Sequence, residues 1–297
     1  MKPVLFTGSA VALITPMHQD GSIHFSALKS LLERQITQKT DAIVVCGTTG
    51  EASTLTVREH LKVIQTAVDI VSGRVPVLAG TGSNDTSHAI EMSKRAAALG
   101  ADGLLLVTPY YNKTNAAGLE RHFFAIADAA QIPCIVYNVP SRTGMSIHPE
   151  TYAKLAQHPY IVGAKEASGN FSDIAHTAYL CGDSLTLYCG NDEQILPMMS
   201  LGAKGVISVL ANIVPRQVHR LCRAFFDGNL TLSRQLQLKY LPLIQALFCD
   251  VSPMPVKAAL NMMHLSAGPC RLPLGGISDK EKQRVAQALN NLSLLSA

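Results

Sequence analysis

The chain has 297 residues, of which 47% are hydrophobic and 15% charged, and its formal net charge is +4. This composition supplies a large core and excludes intrinsic disorder, and the small, dispersed charge argues against a nucleic-acid-binding surface. The length fits one large α/β barrel or two ordinary domains. No apolar run approaches the roughly 20 residues that cross a bilayer, so no membrane association is expected.

Short β-rich runs that end in glycine, proline, threonine or serine alternate along the chain with amphipathic helical stretches. Eight strands are predicted, at residues 9–16, 42–47, 75–82, 103–109, 133–140, 161–167, 184–190 and 205–210. The helices predicted between them include 25–38, 58–71, 85–99 and 117–129. Helices at 230–248, 255–265 and 278–295 then follow one another without strands.

The predicted strands are continuously apolar, which is typical of a parallel sheet buried on both faces. Eight strand–helix units in roughly 225 residues fit a closed (β/α)8 TIM barrel, whose usual size is about 250 residues. An open doubly wound sheet is the alternative, but the first strand ends in Ile14-Thr15-Pro16, without a glycine-rich phosphate-binding turn. We therefore predict a (β/α)8 barrel over residues 1–228 and a helical appendage for packing or assembly over 229–297.

Seven cysteines are scattered along the chain without C-x-x-C spacing. Cys46, Cys134 and Cys189 lie in apolar, strand-like runs. Buried free thiols in a reducing compartment account for this pattern better than disulfides or zinc do. Pro16 and the lack of a small-residue cleavage pattern argue against export. We therefore expect a cytoplasmic protein.

Active sites in a TIM barrel lie at the C-terminal ends of the strands, so polar residues at those positions are the candidates. They are GTTGE (47–51), TPYYN (108–112), YNVPSR (137–142), KE (165–166) and CGND (189–192). The ten histidines are dispersed and form neither H-x-H nor H-E-x-x-H, so no metal site and no cofactor are predicted. The set instead favours amine chemistry.

Lys165 lies in an apolar run that is predicted to be a buried strand. Loss of hydration favours the neutral amine, which can attack a carbonyl to form a Schiff base. The alternatives are a lysine whose ammonium reaches solvent at the strand end and one paired with a buried carboxylate such as Glu166. Strand position alone leaves all three open.

Tyr137 is a candidate proton carrier, because a phenol can pass a proton when other hydroxyls hold it in a chain. Thr48 and Tyr111 could supply those hydroxyls from other strand ends. The alternative for each is ordinary packing with one satisfied hydroxyl.

Arg142 follows a predicted strand and is suited to bind a carboxylate with two nitrogens, unless it is simply a solvated loop arginine. The Thr48-Thr49-Gly50 turn could bind a second carboxylate, or it could cap a helix.

Six motifs stand in order along the chain: GTTGE (47–51), TPYYNK (108–113), YNVPSRTG (137–144), KEASG (165–169), GVISV (205–209) and PMPVK (253–257). Together they resemble the dihydrodipicolinate synthase family, of the pyruvate-dependent class I aldolase/N-acetylneuraminate lyase superfamily. The match runs from Phe6 to the final helices. It implies a lyase that condenses pyruvate with L-aspartate 4-semialdehyde to 4-hydroxy-tetrahydrodipicolinate, the first committed step of diaminopimelate and lysine biosynthesis.

The resemblance also implies residue roles. Lys165 would form the imine with pyruvate, and Tyr137 would donate and accept protons, linked through Thr48 to Tyr111 of a neighbouring subunit. The substrate-binding residues would be Thr49, Gly190 and the Ile207 backbone for pyruvate, and Arg142 for the semialdehyde carboxylate. The resemblance implies a homotetramer built from tight dimers.

Many family members bind lysine as an inhibitor in a cleft between subunits, where a histidine and a glutamate contact it. Val57 and His88 align with those two positions, whereas His60, Asn84 and Tyr110 match the family pattern. We predict weak or absent inhibition by lysine, because its ammonium has no anion at position 88. Another departure, Ser252 before the Pro-x-Pro, is expected to alter only a surface loop.

Two other functions stay open. The same barrel serves aldolases that act on sugar acids or sialic acid, so fold and lysine do not fix the aldehyde. Arg142 favours the semialdehyde, since a second carboxylate needs a cation and a polyol does not. A catalytically idle relative that binds a keto acid is less favoured, because Lys165, Tyr137, Thr48 and Arg142 are all present.

Overall fold

The computed structural model describes residues 2–295, and within them eight parallel strands close into a barrel in chain order. The strands are β1 (Gly8–Ala12), β2 (Ala42–Val45), β3 (Val77–Gly80), β4 (Gly103–Val107), β5 (Cys134–Asn138), β6 (Ile161–Glu166), β7 (Thr186–Cys189) and β8 (Gly205–Ser208). β8 pairs with β1, so the barrel has no open edge. The predicted (β/α)8 barrel is confirmed. Each strand is shorter than predicted. The predicted ends leave the ladder for loops or short helical turns, as at Pro16 after β1 and at Leu210 after β8.

Helices follow the strands and cover the barrel. They are α1 (Phe25–Thr37), α2 (Val57–Val71), α3 (Thr86–Ala98), α4 (Ala116–Ala130), α5 (Pro140–Thr143), α6 (Pro149–Leu155), α7 (Phe171–Cys181), α8 (Ile195–Ser200), α9 (Pro215–Phe226), α10 (Leu230–Leu247), α11 (Met254–Met262) and α12 (Asp279–Asn290). Capping side chains determine where two of these helices begin. The Asp85 side chain accepts a hydrogen bond from the Ser87 N–H at the start of α3, and Thr56 and Glu59 form a capping box at the start of α2.

Two apolar layers hold the barrel together. The inner layer fills the barrel, and there Phe6 stacks on Tyr188 with ring centres 4.3 Å apart. The Tyr188 hydroxyl donates to the Phe6 carbonyl at 2.9 Å, which satisfies this buried phenol. The outer layer lies between strands and helices and includes Leu221, Leu243 and Leu289 of α9, α10 and α12. The C-terminal helices therefore share the core of the barrel.

The proposed division between residues 228 and 229 falls in the turn that joins α9 to α10, and the two-domain description stays a prediction. None of the helices described is long and apolar enough to cross a membrane. All seven cysteines are free; five are buried, and Cys249 and Cys270 are half-buried.

Candidate active site

Lys165 lies near the C-terminal end of β6, between Tyr137 of β5 and Tyr188 of β7 in the strand register. The residue is 5% exposed, and its Nζ lies 4.3 Å from the centre of the Tyr137 ring. Burial lowers the pKa of Lys165 to about 8, although the negative charge of Asp192 acts in the opposite direction. Near that pH much of the amine is neutral, which is the form that attacks a carbonyl.

Glu166 is not the partner of this lysine. Successive side chains of a strand point to opposite faces, so Glu166 turns away from Lys165. Its carboxylate accepts hydrogen bonds from the Tyr152 hydroxyl at 2.8 Å, the Asn138 amide at 3.0 Å and the Ser168 N–H at 2.6 Å. Neither the solvent-exposed nor the Glu166-paired alternative therefore describes Lys165.

Gly190, directly after β7, leaves room for the lysine side chain. A Cβ built on Gly190 would lie 3.2 Å from Lys165 Cε and 2.7 Å from Ala167 Cβ. Any larger residue at position 190 would therefore push against the reactive side chain.

Tyr137 and Thr48 line a cavity of about 450 Å³ at the C-terminal end of the barrel. Burial raises the pKa of Tyr137 to about 12, and the Arg142 guanidinium and the Thr48 hydroxyl partly offset that effect. The phenol is therefore protonated at neutral pH and can serve as a donor. Thr48 enters the cavity from the turn after β2, so both hydroxyl-bearing residues lie on its wall.

Arg142 also lines the cavity, from the short helix α5 that follows β5. Its Nη2 donates to the Ser252 carbonyl at 3.0 Å. The expectation that Ser252 lies in a surface loop is wrong: the residue is 4% exposed and forms part of the cavity wall. The segment before α11 folds inward there, because its carbonyl group binds the guanidinium.

The remaining pyruvate-site candidates lie away from the cavity wall. Thr49 and Ile207 are buried, and Ile207 lies in β8 opposite Ala10 of β1. Thr49 lies in the same turn as Thr48. Within this turn the Glu51 N–H donates to the Thr48 carbonyl at 3.1 Å.

Tyr111 is not brought to the other candidates within one chain. The residue is 92% exposed, and its backbone has the left-handed conformation, with φ of 68°. Its phenol therefore lies outside the cavity that Thr48 and Tyr137 line.

Four of the five residues named for the predicted regulatory cleft fall in the same cavity. His60, His88 and Tyr110 line it together with Val57, whereas Asn84 does not line the cavity. The His60 Nε2 lies 2.8 Å from the Gly80 carbonyl, and burial lowers the pKa of this imidazole. These residues therefore share the cavity wall with Thr48, Tyr137 and Arg142, whereas Lys165 does not line it.

Sequence reasoning gave no role to Asp192, although it lies at the end of β7. Its Oδ2 accepts the N–H groups of Val209 and Leu210 at 2.9 and 2.8 Å, and burial raises the pKa of this carboxyl. Its Oδ1 has no hydrogen-bond partner among residues 2–295. The only sequence signal was its position at a strand end.

The sequence also gave no sign that Glu51 and Lys257 form a buried ion pair, with Nζ and Oε1 2.6 Å apart. The two residues are 206 positions apart. A lysine within the apolar run Pro255–Leu260 was the single available hint.

Comparisons with known proteins agree with this geometry. The model of the Dihydrodipicolinate synthetase family matches residues 5–292. A relative from Caldicellulosiruptor bescii, named 4-hydroxy-tetrahydrodipicolinate synthase, is 53% identical over 285 residues, which cover 96% of each chain.

Solved structures match over nearly the whole chain as well. The chloride-inhibited dihydrodipicolinate synthase from Acinetobacter baumannii, complexed with pyruvate, is 41% identical with a TM-score of 0.95, covering 97% of this chain and 99% of that one. A dihydrodipicolinate synthase from Cyanidioschyzon merolae, with lysine bound, is 39% identical with a TM-score of 0.96, covering 99% and 100%. By its full-length match, its barrel and its strand-end residues, this chain belongs to the dihydrodipicolinate synthetase family.

Proposed function

We propose that this chain is a lyase that condenses pyruvate with L-aspartate 4-semialdehyde to give 4-hydroxy-tetrahydrodipicolinate, the first committed step of diaminopimelate and lysine biosynthesis. The observation that carries this proposal is Lys165, a buried amine of lowered pKa beside Tyr137 at the catalytic end of the barrel. Family membership supports the choice of substrates.

The neutral Lys165 amine attacks the pyruvate carbonyl, and loss of water gives an imine. Removal of a methyl proton converts the imine to an enamine, whose carbon attacks the aldehyde of the semialdehyde. The amino group of that substrate then displaces Lys165 and closes the ring, so that one water molecule is released overall.

Tyr137 is the proton carrier in this scheme. Its raised pKa keeps the phenol protonated until a developing alkoxide takes the proton, and Thr48 then links it to the next hydroxyl. We assign that hydroxyl to Tyr111 of a second copy, because Tyr111 is exposed in its own chain. Thr49, Gly190 and the Ile207 backbone hold pyruvate in place, and no cofactor takes part.

Borohydride trapping tests the proposed function directly. The protein is incubated with pyruvate and sodium borohydride, and its intact mass and peptide map are measured. Reduction of the imine on Lys165 gives a covalent adduct at that residue. A folded protein that forms no adduct would contradict the proposal at its first step.

Arg142 distinguishes the semialdehyde from sugar-derived aldehydes. The Arg142→Ala variant is expected to raise the KM for the semialdehyde by about 10- to 100-fold, the value of one charged hydrogen bond. Formation of the pyruvate imine, measured by trapping, is expected to change by less than about threefold, because Arg142 is not among the residues proposed to hold pyruvate.

Arg95→Ala is the matched control, since Arg95 is an exposed arginine on α3. Equal losses in both steps for Arg142→Ala would show that Arg142 does not select the aldehyde. A panel of sugar-acid and sialic-acid aldehydes, assayed with the wild-type protein, tests the related aldolase activities.

Inhibition by lysine is expected to be weak or absent. The cavity wall near His60 and His88 offers imidazoles where a lysine ammonium needs an anion. Loss of one charged partner weakens binding by about 10- to 100-fold. The test is the initial rate of condensation measured at increasing lysine concentrations. Half-inhibition below about 1 mM would contradict this prediction.

We further propose a cytoplasmic homotetramer built from tight dimers, in which each Tyr111 completes the relay of its partner. Sedimentation of the purified protein measures the assembly. Mixing Tyr111→Phe subunits with Lys165→Ala subunits tests the exchange, because a mixed dimer then regains one complete site.

A further inference from the structure

The turn after β2, residues 46–51, carries Thr48 and Thr49 and contains two left-handed residues other than glycine. Cys46 has φ of 54° and Glu51 has φ of 56°. Side chains strain such a backbone, which persists only where the surroundings hold it. The backbone of the turn also packs closely on β3, because a Cβ atom added to Gly80 would lie only 2.2 Å from the Cys46 carbonyl oxygen. External contacts must therefore fix this turn.

Most of those contacts come from the C-terminal part of the chain, and Thr15 adds one more, since its Oγ1 donates to the Gly50 carbonyl at 2.7 Å. Side-chain exposure is 0% for Glu51 and 2% for Lys257, and the ion pair between them is 2.6 Å long. Lys257 Nζ also donates to the Pro269 carbonyl at 2.7 Å, and Glu51 Oε2 accepts the Arg271 N–H at 2.9 Å. Both carboxylate oxygens of Glu51 are thus bound by residues 257–271.

The Arg271 side chain holds the rest of the same loop. Its Nη1 donates to the Thr54 carbonyl at 2.7 Å, and its Nε donates to the Gly21 carbonyl at 2.8 Å. Its guanidinium also pairs with Glu59 in the first turn of α2. The segment therefore anchors the β2–α2 loop at Glu51, at Thr54 and at the start of the helix.

A buried ion pair is a poor source of folding stability, because removing two charges from water offsets their attraction. Its contribution here is geometric: it allows one arrangement of the turn and disfavours others. Lys257 lies outside the cavity wall, so it can act on the reaction only indirectly, through Glu51 and the Pro269 carbonyl that it binds.

We propose that Glu51 and Lys257 are positioning residues, whose buried ion pair fixes the 46–51 turn so that Thr48 meets Tyr137 and Thr49 meets pyruvate. The kinetic part of this proposal rests on the proposed function. Its structural part, that the pair holds the turn, does not.

The first test is Lys257→Met, which removes the charge and keeps the length of the side chain. Misplacing a catalytic group by about 1 Å costs on the order of 100-fold, so we expect kcat to fall about 10- to 100-fold. The KM for pyruvate should rise at least about threefold, while that for the semialdehyde stays within about twofold, because only the pyruvate side depends on the turn.

Lys282→Met is the matched control, since Lys282 forms an exposed ion pair with Asp279 in α12. Its kinetic constants should equal those of the wild type. If Lys257→Met merely loses folded protein, kcat falls and neither KM moves, and that result would overturn the proposal.

The double variant Glu51→Gln/Lys257→Met separates position from stability. It leaves no uncompensated buried charge, so its Tm should recover toward the wild-type value even if Lys257→Met alone does not fold. We expect its kcat to stay reduced. Recovery of kcat together with Tm would show that the pair is only structural.

Hydrogen exchange of peptides that cover residues 46–56 gives a readout independent of activity. Exchange should speed up about tenfold or more in the double variant, while peptides from β5 and β6 stay unchanged. Unchanged exchange at 46–56 refutes the proposal whatever the enzyme does. A wild-type protein without condensation activity would refute the proposed function and leave this measurement valid.

Discussion

Lys165→Met is expected to abolish turnover while the protein stays folded. Loss of the nucleophile removes the covalent route, and in other covalent enzymes that costs on the order of 10⁴-fold or more. Trapping with pyruvate and borohydride should then give no adduct. Lys154→Met, a change at an exposed lysine on α6, should keep both adduct and activity.

The same variant should be more stable than the wild type at neutral pH. Burial lowers the pKa of Lys165 from 10.5 to about 8, so the unfolded chain binds the proton more tightly than the folded one. Keeping this ammonium buried below pH 8 costs on the order of 3 kcal/mol. Methionine removes that cost.

The difference in stability between Lys165→Met and the wild type should depend on pH. Wild-type stability rises with pH between about 8 and 10.5, where only the unfolded chain holds the proton, and the advantage of Lys165→Met shrinks over that window. Thermal unfolding from pH 7 to 10 measures it. The rate of imine trapping should rise with pH and level off above about 8. A pH-independent difference in Tm would mean that Lys165 is not a buried titrating amine.

Tyr137→Phe is expected to lower kcat by about 10²- to 10⁴-fold, which is the usual contribution of a positioned proton carrier. The ring stays in the barrel interior, so the fold should persist and only the hydroxyl is lost. Steady-state kinetics of condensation, with circular dichroism as a check on folding, measure the effect.

Tyr188→Phe is the matched control, because Tyr188 is another buried barrel tyrosine. Its hydroxyl donates to the Phe6 carbonyl, so its loss should lower stability by about 1 kcal/mol and leave kcat near that of the wild type. If the two variants lost activity equally, the effect of Tyr137 would be one of packing and not of proton transfer.

The barrel could be predicted from the sequence because its signal is local and repeated. Eight apolar runs, six of them closed by a proline or a glycine, mark the strands. The strand ends then select Lys165, Tyr137, Thr48 and Arg142 before any geometry is known. The predicted strand lengths failed at these ends, since a residue such as Pro16 continues an apolar pattern without joining the ladder.

Other features depend on contacts that no local pattern records. Ser252 looked like a surface residue, but its carbonyl meets Arg142, 110 positions away in the chain. The Asp192 carboxylate acquires a role only when β8 brings two N–H groups to it. The proposed role of Tyr111 belongs to this class too, because a relay between two copies would not be visible in one chain.

The contact between Glu51 and Lys257 has a consequence for biosynthesis. A ribosome adds about 5–20 residues per second, so the 206 residues between the two partners take about 10–40 s to make. Throughout that interval the nascent barrel has its β2 loop without the anchor that completes it. The anchor that we propose for Thr48 and Thr49 is therefore complete only once almost the whole polypeptide is synthesised, and we expect the emerging chain to be inactive until then.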